Sequence, residues 1–314
     1  MSPSNPHTYA AIDVGTNSVK IIIVNLSSNS ANLLYERTII SRLGEGMTKS
    51  EPLLQETAMK RTLDSLRELV AAARSYGAVR IVSAGTAALR EAHNRDQFLK
   101  MVNEILNVNI EVVSGDEEAR LSYLAVRRDP LWRDAYPLLV VDIGGGSTEV
   151  IRGGIKADKP DSRISVPLGA VRLTEKYFTS DPTTSEELEE AEHAIHSAFA
   201  SLPAGGDGVL VGVGGTISNL AAMDSNGDYD PERLHGHILT RETIKHQIQI
   251  LKNSTISERK KIAGLDPKRA DIILGGALLL KHTLMHLGAA SVASSMRGLR
   301  WGLLYDTFLT AAQE

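Results

Sequence analysis

Residues 140–152 read VVDIGGGSTEVIR, two apolar runs joined through Gly144-Gly145-Gly146 with Asp142 before the glycines and Glu149 after them. Adjacent glycines lose more backbone entropy on folding than any other residues, so three in a row need a tight turn or something that must approach bare backbone. The stretch has an earlier relative. Asp13, Gly15 and Ser18 recur as Asp142, Gly144 and Ser147 at a constant offset of 129 residues. Apolar, strand-like runs flank both copies: 9–14 and 19–24 (VKIIIV) around the first, 138–143 and 147–152 around the second. A strand–turn–strand unit that opens each half of a chain constrains the fold to two related domains, each starting with a hairpin whose turn faces a shared cleft.

The elements that follow the two hairpins have the same character. After the first come a strand over 32–41, a helix over 53–74, a strand over 80–83, a helix over 97–106, a strand over 110–113 and a helix over 115–127. The charged segment RRDPLWRDAYP (127–137) carries two prolines and reads as the joint between domains. After the second hairpin come a strand over 163–167, helices, a strand over 208–213 and further helices. Among these, Thr184-Ser185-Glu186-Glu187 forms a capping box. Residues 224–237 read as a polar loop, and a helix from about Gly298 closes the chain. The class is α/β, in two domains, consistent with 314 residues.

Composition removes several kinds of function. The formal charge of −4, with no long run of one sign, argues against a nucleic-acid or anionic-membrane surface. No cysteine is present, so thiolate catalysis and cysteine-ligated metal are out. The start lacks the pattern of a signal peptide and no window approaches the roughly 18 apolar residues of a membrane span, so the expected setting is soluble and cytoplasmic. There is no GxxxxGK[ST], GxGxxG or HExxH. His235 and His237, the closest histidine pair, read as solvated or locally hydrogen-bonded.

The glycine turns point to phosphate. Phosphate needs several N–H donors at short range, and glycine lets the backbone curl around it without a Cβ in the way. A third turn, Val213-Gly214-Gly215-Thr216, follows a strand and opens a helix, where N–H groups are a ready anion site. A tight hairpin would explain one such turn. Three turns with adjacent hydroxyls, one of them repeated with its Asp, favour phosphate. Asp142 and Glu149 would repel a polyphosphate unless a divalent cation lay between, and Mg2+ takes hard oxygen ligands of this kind. In SGDEEARL (114–121), Ser114 and Glu117 make a capping box, and acids in a first turn suit the helix dipole. Glu118 falls beyond the box, on the face shared with Leu121, Ser122 and Ala125. A carboxylate there requires either a function or an internal partner.

With these motifs in place, the sequence resembles the exopolyphosphatase / guanosine pentaphosphate phosphohydrolase (Ppx/GppA) family, within the superfamily of actin, sugar kinases and heat-shock ATPases. The resembling stretches are AAIDVGTNSVKIIIV, VSAGTAALREAHN, VVSGDEEARLSYLAV, VVDIGGGSTEV, VPLGAVRLTEKYF, VGVGGTISNLAAM and SMRGLRWGLLYD, in the family's order. Longer members add a C-terminal helical region with a His-Asp metal site. This chain has no His-Asp dipeptide and resembles a short, two-domain member.

The resemblance implies two actin-like (ribonuclease H-like) domains with mixed five-stranded sheets flanked by helices and an active-site cleft between them. It implies domains over 1–126 and 127–314, with the helix 298–314 packing back onto the first. It implies hydrolysis of terminal phosphate from inorganic polyphosphate, or alternatively from a phosphorylated guanine nucleotide (pppGpp), with Mg2+ or another divalent ion such as Mn2+, in a homodimer. Glu118 matches the family's catalytic glutamate, which positions or deprotonates the attacking water. Asp142 and Glu149 match its magnesium-associated acids. Asn17 and Ser18, Gly144, Gly145, Gly146 and Ser147, and Gly214, Gly215 and Thr216 match phosphate-contacting turns, and Arg90 matches an arginine reaching the phosphate chain. The chain departs from the family's closing GLREG motif: Gly298-Leu299-Arg300-Trp301-Gly302 carries Trp in place of the acid. A phosphotransferase and a non-catalytic nucleotide binder are the rival classes. Glu118, Asp142 and Glu149 together speak against the binder.

Overall fold

The structure is a computed structural model that describes residues 7–26, 31–47, 52–154, 158–205, 207–225, 227 and 229–308. The opening residues 1–6 and the last six residues of the helix expected to run to 314 lie outside the described residues. The chain divides into two compact units, Met1–Ala125 with Leu299–Glu314, and Val126–Gly298.

The first unit is built on a five-stranded sheet in the order β3-β2-β1-β4-β5. β1 (His7–Val14), β2 (Ser18–Leu26) and β3 (Ala31–Ile40) form an antiparallel meander. β4 (Arg80–Gly85) runs parallel to β1, and β5 (Glu111–Val112) parallel to β4. The unbroken apolar run of β2 follows from burial on both faces. Val19, Ile21 and Ile23 join the core under α1 (Glu56–Ser75) and α3 (Arg95–Leu106). Ile22 and Val24 join the opposite core under α4 (Gly115–Arg127) and α12 (Leu299–Phe308). Trp301, at the place of the family motif's acid, is buried in that second core. Arg300 beside it donates to the Ile21 carbonyl at 2.9 Å and pairs with Glu36 at 2.6 Å, fixing α12 to β2 and β3. A short helix not expected from the sequence, α2 (Ala87–Glu91), follows β4.

The second unit repeats the plan. β6 (Leu138–Ile143), β7 (Thr148–Gly153) and β8 (Ser162–Val166) form an antiparallel meander, β9 (Val209–Val213) runs parallel to β6, and β11 (Ser291–Ser294) parallel to β9. The sheet order is β10-β11-β9-β6-β7-β8. Five of these strands match the first unit in order and direction, the actin-like arrangement. The expected count of five is corrected to six, because β10 (Ile238–Thr240) adds an antiparallel edge strand to β11. One core holds β6, β7 and β8 with α5 (Ala170–Tyr177), α6 (Ser185–Phe199), α7 (Gly215–Asp224), α9 (Arg241–Lys252) and α11 (Ile273–His286). α11 is apolar nearly all round and runs through that core, as such a pattern requires. The Thr184 capping box forms as its sequence predicts: the hydroxyl accepts from Glu187 N–H, and the Glu187 carboxylate accepts from Thr184 N–H. The proline-bearing stretch 127–137 is well anchored within this unit. Arg127 donates to the carbonyls of Arg133, Ala135 and Gly154, and the buried Asp129 lies 3.1 Å from His235 Nε2 and 3.2 Å from Arg297 Nε. Within the polar segment 224–237, α8 (Pro231–Leu234) forms a short helix and His237 pairs with Asp224 at 2.8 Å. Among the described residues no helix is long and apolar enough to cross a membrane.

Candidate active site

The sequence repeat is also a repeat of hydrogen bonding. In the first unit Gly15 N–H donates to the Ser18 carbonyl at 3.0 Å. In the second, Gly144 N–H donates to the Ser147 carbonyl at 3.0 Å. A Cβ on Gly15 or on Gly144 would lie 3.2 Å from that carbonyl, which explains the shared glycine. Among the described residues, the N–H groups of Thr16 and Asn17, and of Gly145 and Gly146, donate to no protein acceptor. Unpaired backbone donors are costly unless water or a ligand takes them.

The carbonyls of these turns are held from behind. Ala170 N–H donates to the Gly144 carbonyl, and Val171 and Arg172 N–H both donate to that of Gly145. The start of α5 therefore fixes the carbonyl side of the loop. Gly169 makes this docking possible, since a Cβ there would sit 2.5 Å from the Gly145 carbonyl. In the first unit a different segment does the same work: Ser41 and Arg42 N–H donate to the Asn17 carbonyl and Gly44 N–H to that of Thr16. Gly44 is required there by the Thr16 methyl, 2.4 Å from where its Cβ would be.

The third turn joins the second. Gly214 has φ 94° and ψ 173°, a region open essentially to glycine alone. A Cβ on it would lie 2.8 Å from Asp142 Oδ1 and 3.1 Å from the Ile143 carbonyl. Thr216 Oγ1 donates to that same carbonyl at 3.5 Å. Two glycines of α11 set the spacing behind the site. A Cβ on Gly275 would meet Thr174 of α5 at 2.8 Å, and one on Gly276 would meet Thr216 of α7 at 2.6 Å. Asp142, the turn 144–147 and the turn 214–216 thus form one group.

Arg269 also belongs to this group, and sequence reasoning missed it. Its guanidinium lies against Gly215, 2.4 Å from where a Cβ would be, and the residue is buried. Asn219 holds the segment in place by donating to the Gly215 carbonyl and accepting from Asp266 N–H, both at 2.8 Å. In the sequence, Arg269 is one cation in DPKRAD, indistinguishable from a surface charge.

Asp142 and Glu149 are direct cross-strand partners on β6 and β7, so their side chains leave the same face of the sheet, where like charges repel. Glu149 is fully buried and accepts from Ser165 Oγ at 2.7 Å. Two hard carboxylates in this position fit a divalent cation, and Mg2+ ordinarily takes one or two carboxylates and completes its shell with water and substrate phosphate. Among the described residues there is no cluster of three or more histidine, aspartate or glutamate side chains that would hold a metal by themselves.

In the first unit the helix cap and the candidate catalytic acid separate as their positions predict. Ser114 Oγ accepts from Glu117 N–H at 3.1 Å, and Glu117 turns to Arg120. Glu118 is buried at 7% exposure, and its Oε2 accepts from Arg90 Nη1 at 2.9 Å. The same Nη1 donates to the Val113 carbonyl at 3.1 Å, so the arginine is anchored as well. Arg90, which the resemblance assigns to the phosphate chain, here orients Glu118. Asn17 and Ser18 are both buried, and neither polar atom of the Asn17 amide has a partner. Asp13 Oδ1 is likewise buried without one.

The chain is similar to known proteins in sequence and in fold. The chain is 31% identical over 292 residues to exopolyphosphatase 2 of Mycobacterium tuberculosis, covering 88% of this chain and 90% of that one. It is 31% identical over 304 residues to a bifunctional 3-dehydroquinate synthase/phosphatase of Fusobacterium nucleatum, covering 89% of this chain but spanning only 43% of that protein's length. Among solved structures, the Aquifex aeolicus member of the Ppx/GppA family superposes with a TM-score of 0.81 at 31% identity, covering 98% of this chain and 99% of its own. An exopolyphosphatase from Cytophaga hutchinsonii superposes with a TM-score of 0.87 at 25% identity, covering 97% and 98%. The match to the family's own pattern runs from residue 22 to residue 311, across both hairpin-led units, and with it the chain belongs to the Ppx/GppA phosphatase family.

Proposed function

We propose that the chain is an exopolyphosphatase that removes the terminal phosphate of inorganic polyphosphate by water attack, with Mg2+ or Mn2+ held at Asp142 and Glu149. The observation that carries this reading is Glu118, a buried carboxylate oriented by an anchored arginine in a fold whose turns present unpaired N–H donors. The relatives named for exopolyphosphatase activity support the choice of substrate.

In this reading Glu118 orients a water in line with the terminal P–O bond and accepts its proton as that bond breaks. In the second unit the N–H groups of Gly145 and Gly146 are donors for phosphate oxygens, with the Arg269 guanidinium adding charge beside the turn 214–216; in the first unit those of Thr16 and Asn17 are donors of the same kind. The proton passes to Glu118, the phosphoryl group to water, and the shortened chain leaves as the anion. A divalent ion at Asp142 and Glu149 supplies charge neutralisation on the phosphate oxygens. Catalysis of this kind is mostly positioning and electrostatics.

Phosphate release measured side by side on long-chain polyphosphate, pppGpp and ATP tests the substrate. Faster turnover of pppGpp than of polyphosphate would transfer the assignment to a guanosine pentaphosphate phosphohydrolase. For the chemistry, Glu118→Gln should leave binding nearly unchanged and reduce kcat to well under a tenth. A variant that loses less than about 1.4 kcal/mol of barrier lowering, a factor of ten in rate, would rule out Glu118 as the base.

A further inference from the structure

The two hairpins correspond in register beyond the residues they share in sequence. Asp13 lies directly across β1–β2 from Lys20, and Asp142 lies directly across β6–β7 from Glu149. Lys20 and Glu149 stand at the same offset of 129 residues as the two aspartates, across turns of equal length closed by the same hydrogen bond. The partners therefore occupy equivalent positions and carry opposite charge. In the second unit two carboxylates share a face. In the first, Lys20 Nζ lies 3.0 Å from Asp13 Oδ2, with side-chain exposures of 23% and 7%.

We infer that the Lys20 ammonium is the first unit's covalently tethered cation, standing where the second unit takes a divalent ion, so that each chain binds one such ion rather than two. The inference rests on Asp142 and Glu149 being the metal-holding pair. Both hairpins place an acid before a phosphate-type turn, Asp13 buried and Asp142 half-buried across from the buried Glu149, and a carboxylate withdrawn from water next to a bound anion needs a compensating cation. Lys20 supplies it without an exchangeable ion. It also acts as a positioning residue: with Oδ2 held by the ammonium, Asp13 Oδ1 is fixed 3.8 Å from the Cβ position of Gly15 and remains buried without a protein partner. A glutamate at position 20 would reproduce the acid pair of the second unit in an equivalent backbone.

Counting bound Mn2+ by equilibrium dialysis, with electron paramagnetic resonance of the free ion, tests this directly. Wild type is expected to bind one Mn2+ per chain, Glu149→Gln none, Lys20→Glu two, and the double variant Lys20→Glu/Glu149→Gln one. The count is uncluttered, since no three-ligand cluster exists among the described residues. Thermal unfolding establishes that each variant is folded. Should Lys20→Glu not fold, Lys20→Gln removes the charge while keeping an amide oxygen opposite Asp13, and it too is expected to gain a second, weaker Mn2+. A folded Lys20→Glu or Lys20→Gln that still binds one ion overturns the inference, as does a wild type that binds two. A wild type that binds none defeats the metal assignment of Asp142 and Glu149 itself, and the inference with it.

Discussion

Replacing Gly214 by alanine adds one methyl group at the point where the third turn touches Asp142. Two costs follow. The backbone conformation, φ 94° and ψ 173°, is strained for any residue with a Cβ, at about 1–3 kcal/mol. The methyl would also lie 2.8 Å from Asp142 Oδ1. Ordinary contact begins near 3.4 Å, so the carboxylate or the turn must move by roughly half an ångström, and overpacking of this kind costs about 1–3 kcal/mol. A carboxylate can rotate away more readily than backbone, which places the second cost at the low end. The total, about 2–4 kcal/mol, is tolerable for a domain with a stability of about 5–15 kcal/mol. The effect on rate should be larger in proportion, because a displacement of about 1 Å at a reacting centre can cost about a hundredfold.

Gly288→Ala provides the control. Gly288 also has positive φ, 69°, but nothing lies within 4 Å of its Cβ position. It should cost about 1–2 kcal/mol of stability through the left-handed backbone alone, with no change in kcat. The two variants are compared by urea denaturation and by phosphate release at saturating substrate. Gly214→Ala is expected to lose tenfold or more in kcat while remaining folded. A Gly214→Ala protein with wild-type kcat, and no greater loss of stability than Gly288→Ala, would show that the third turn does not constrain Asp142.

Gly302→Ala would place a methyl 1.9 Å from the Leu121 carbonyl, so α12 must withdraw from α4 by more than 1 Å. We expect about 2–4 kcal/mol of destabilisation, read as a lower thermal midpoint, because the obstruction is backbone. Arg269→Gln removes the cation beside Gly215 and should raise KM for polyphosphate by tenfold to a hundredfold, the equivalent of a charged hydrogen bond of about 1.5–3 kcal/mol. An unchanged KM in steady-state kinetics would take Arg269 out of the site. Glu187 gives a pH test remote from the chemistry. The Thr179 hydroxyl first, then the N–H groups of Thr184 and Thr179 and the Ser180 side chain, lower its pKa from the ordinary 4.5 to about 2. A depressed carboxylate contributes its stability above the unfolded pKa and loses it as pH falls through the folded one. Glu187→Gln should therefore be less stable than wild type at pH 7. The difference in urea midpoint should shrink below pH 4.5 and vanish near pH 2, and its size is limited by solvent screening of an exposed group.

What the sequence made legible is what local pattern can encode. VKIIIV and LLVVDI read as strands because burial on both faces leaves no polar alternation to confuse the reading. The capping box at Thr184 and the Ser114 cap were readable because their partners are three residues away; at Ser114 only half of the expected box forms, since the Glu117 carboxylate accepts from Arg120 instead. The strands of three and four residues that close the second sheet are too short to show a period, and β10 pairs with residues more than fifty positions later. Arg269 reaches Gly215 through a fold-level contact that no local pattern carries. Trp301 illustrates the reverse case. Its departure from the family motif concerned a site residue in the sequence, but in the structure it is a filler of the core shared by α4 and α12.

The relation between Lys20 and Glu149 was hidden for a different reason. Sequence comparison finds a repeat through its identities, and Lys20 and Glu149 are not among them. Two positions after Ser18 and Ser147 the hairpins differ in charge. The offset aligns these two residues, but only strand register shows that each faces the aspartate of its own hairpin. On the proposed function, identity between the hairpins marks what phosphate binding would demand of both: an acid ahead of the turn, a glycine that closes it and a serine whose carbonyl accepts the closing bond. Divergence marks where their roles separate. A cation that must meet the substrate afresh in each turnover suits an exchangeable ion, whereas one that only holds an aspartate in place suits a side chain. Pseudo-symmetric halves can thus divide one reaction between them by changing a single charge on a shared hairpin, with the backbone of both left the same.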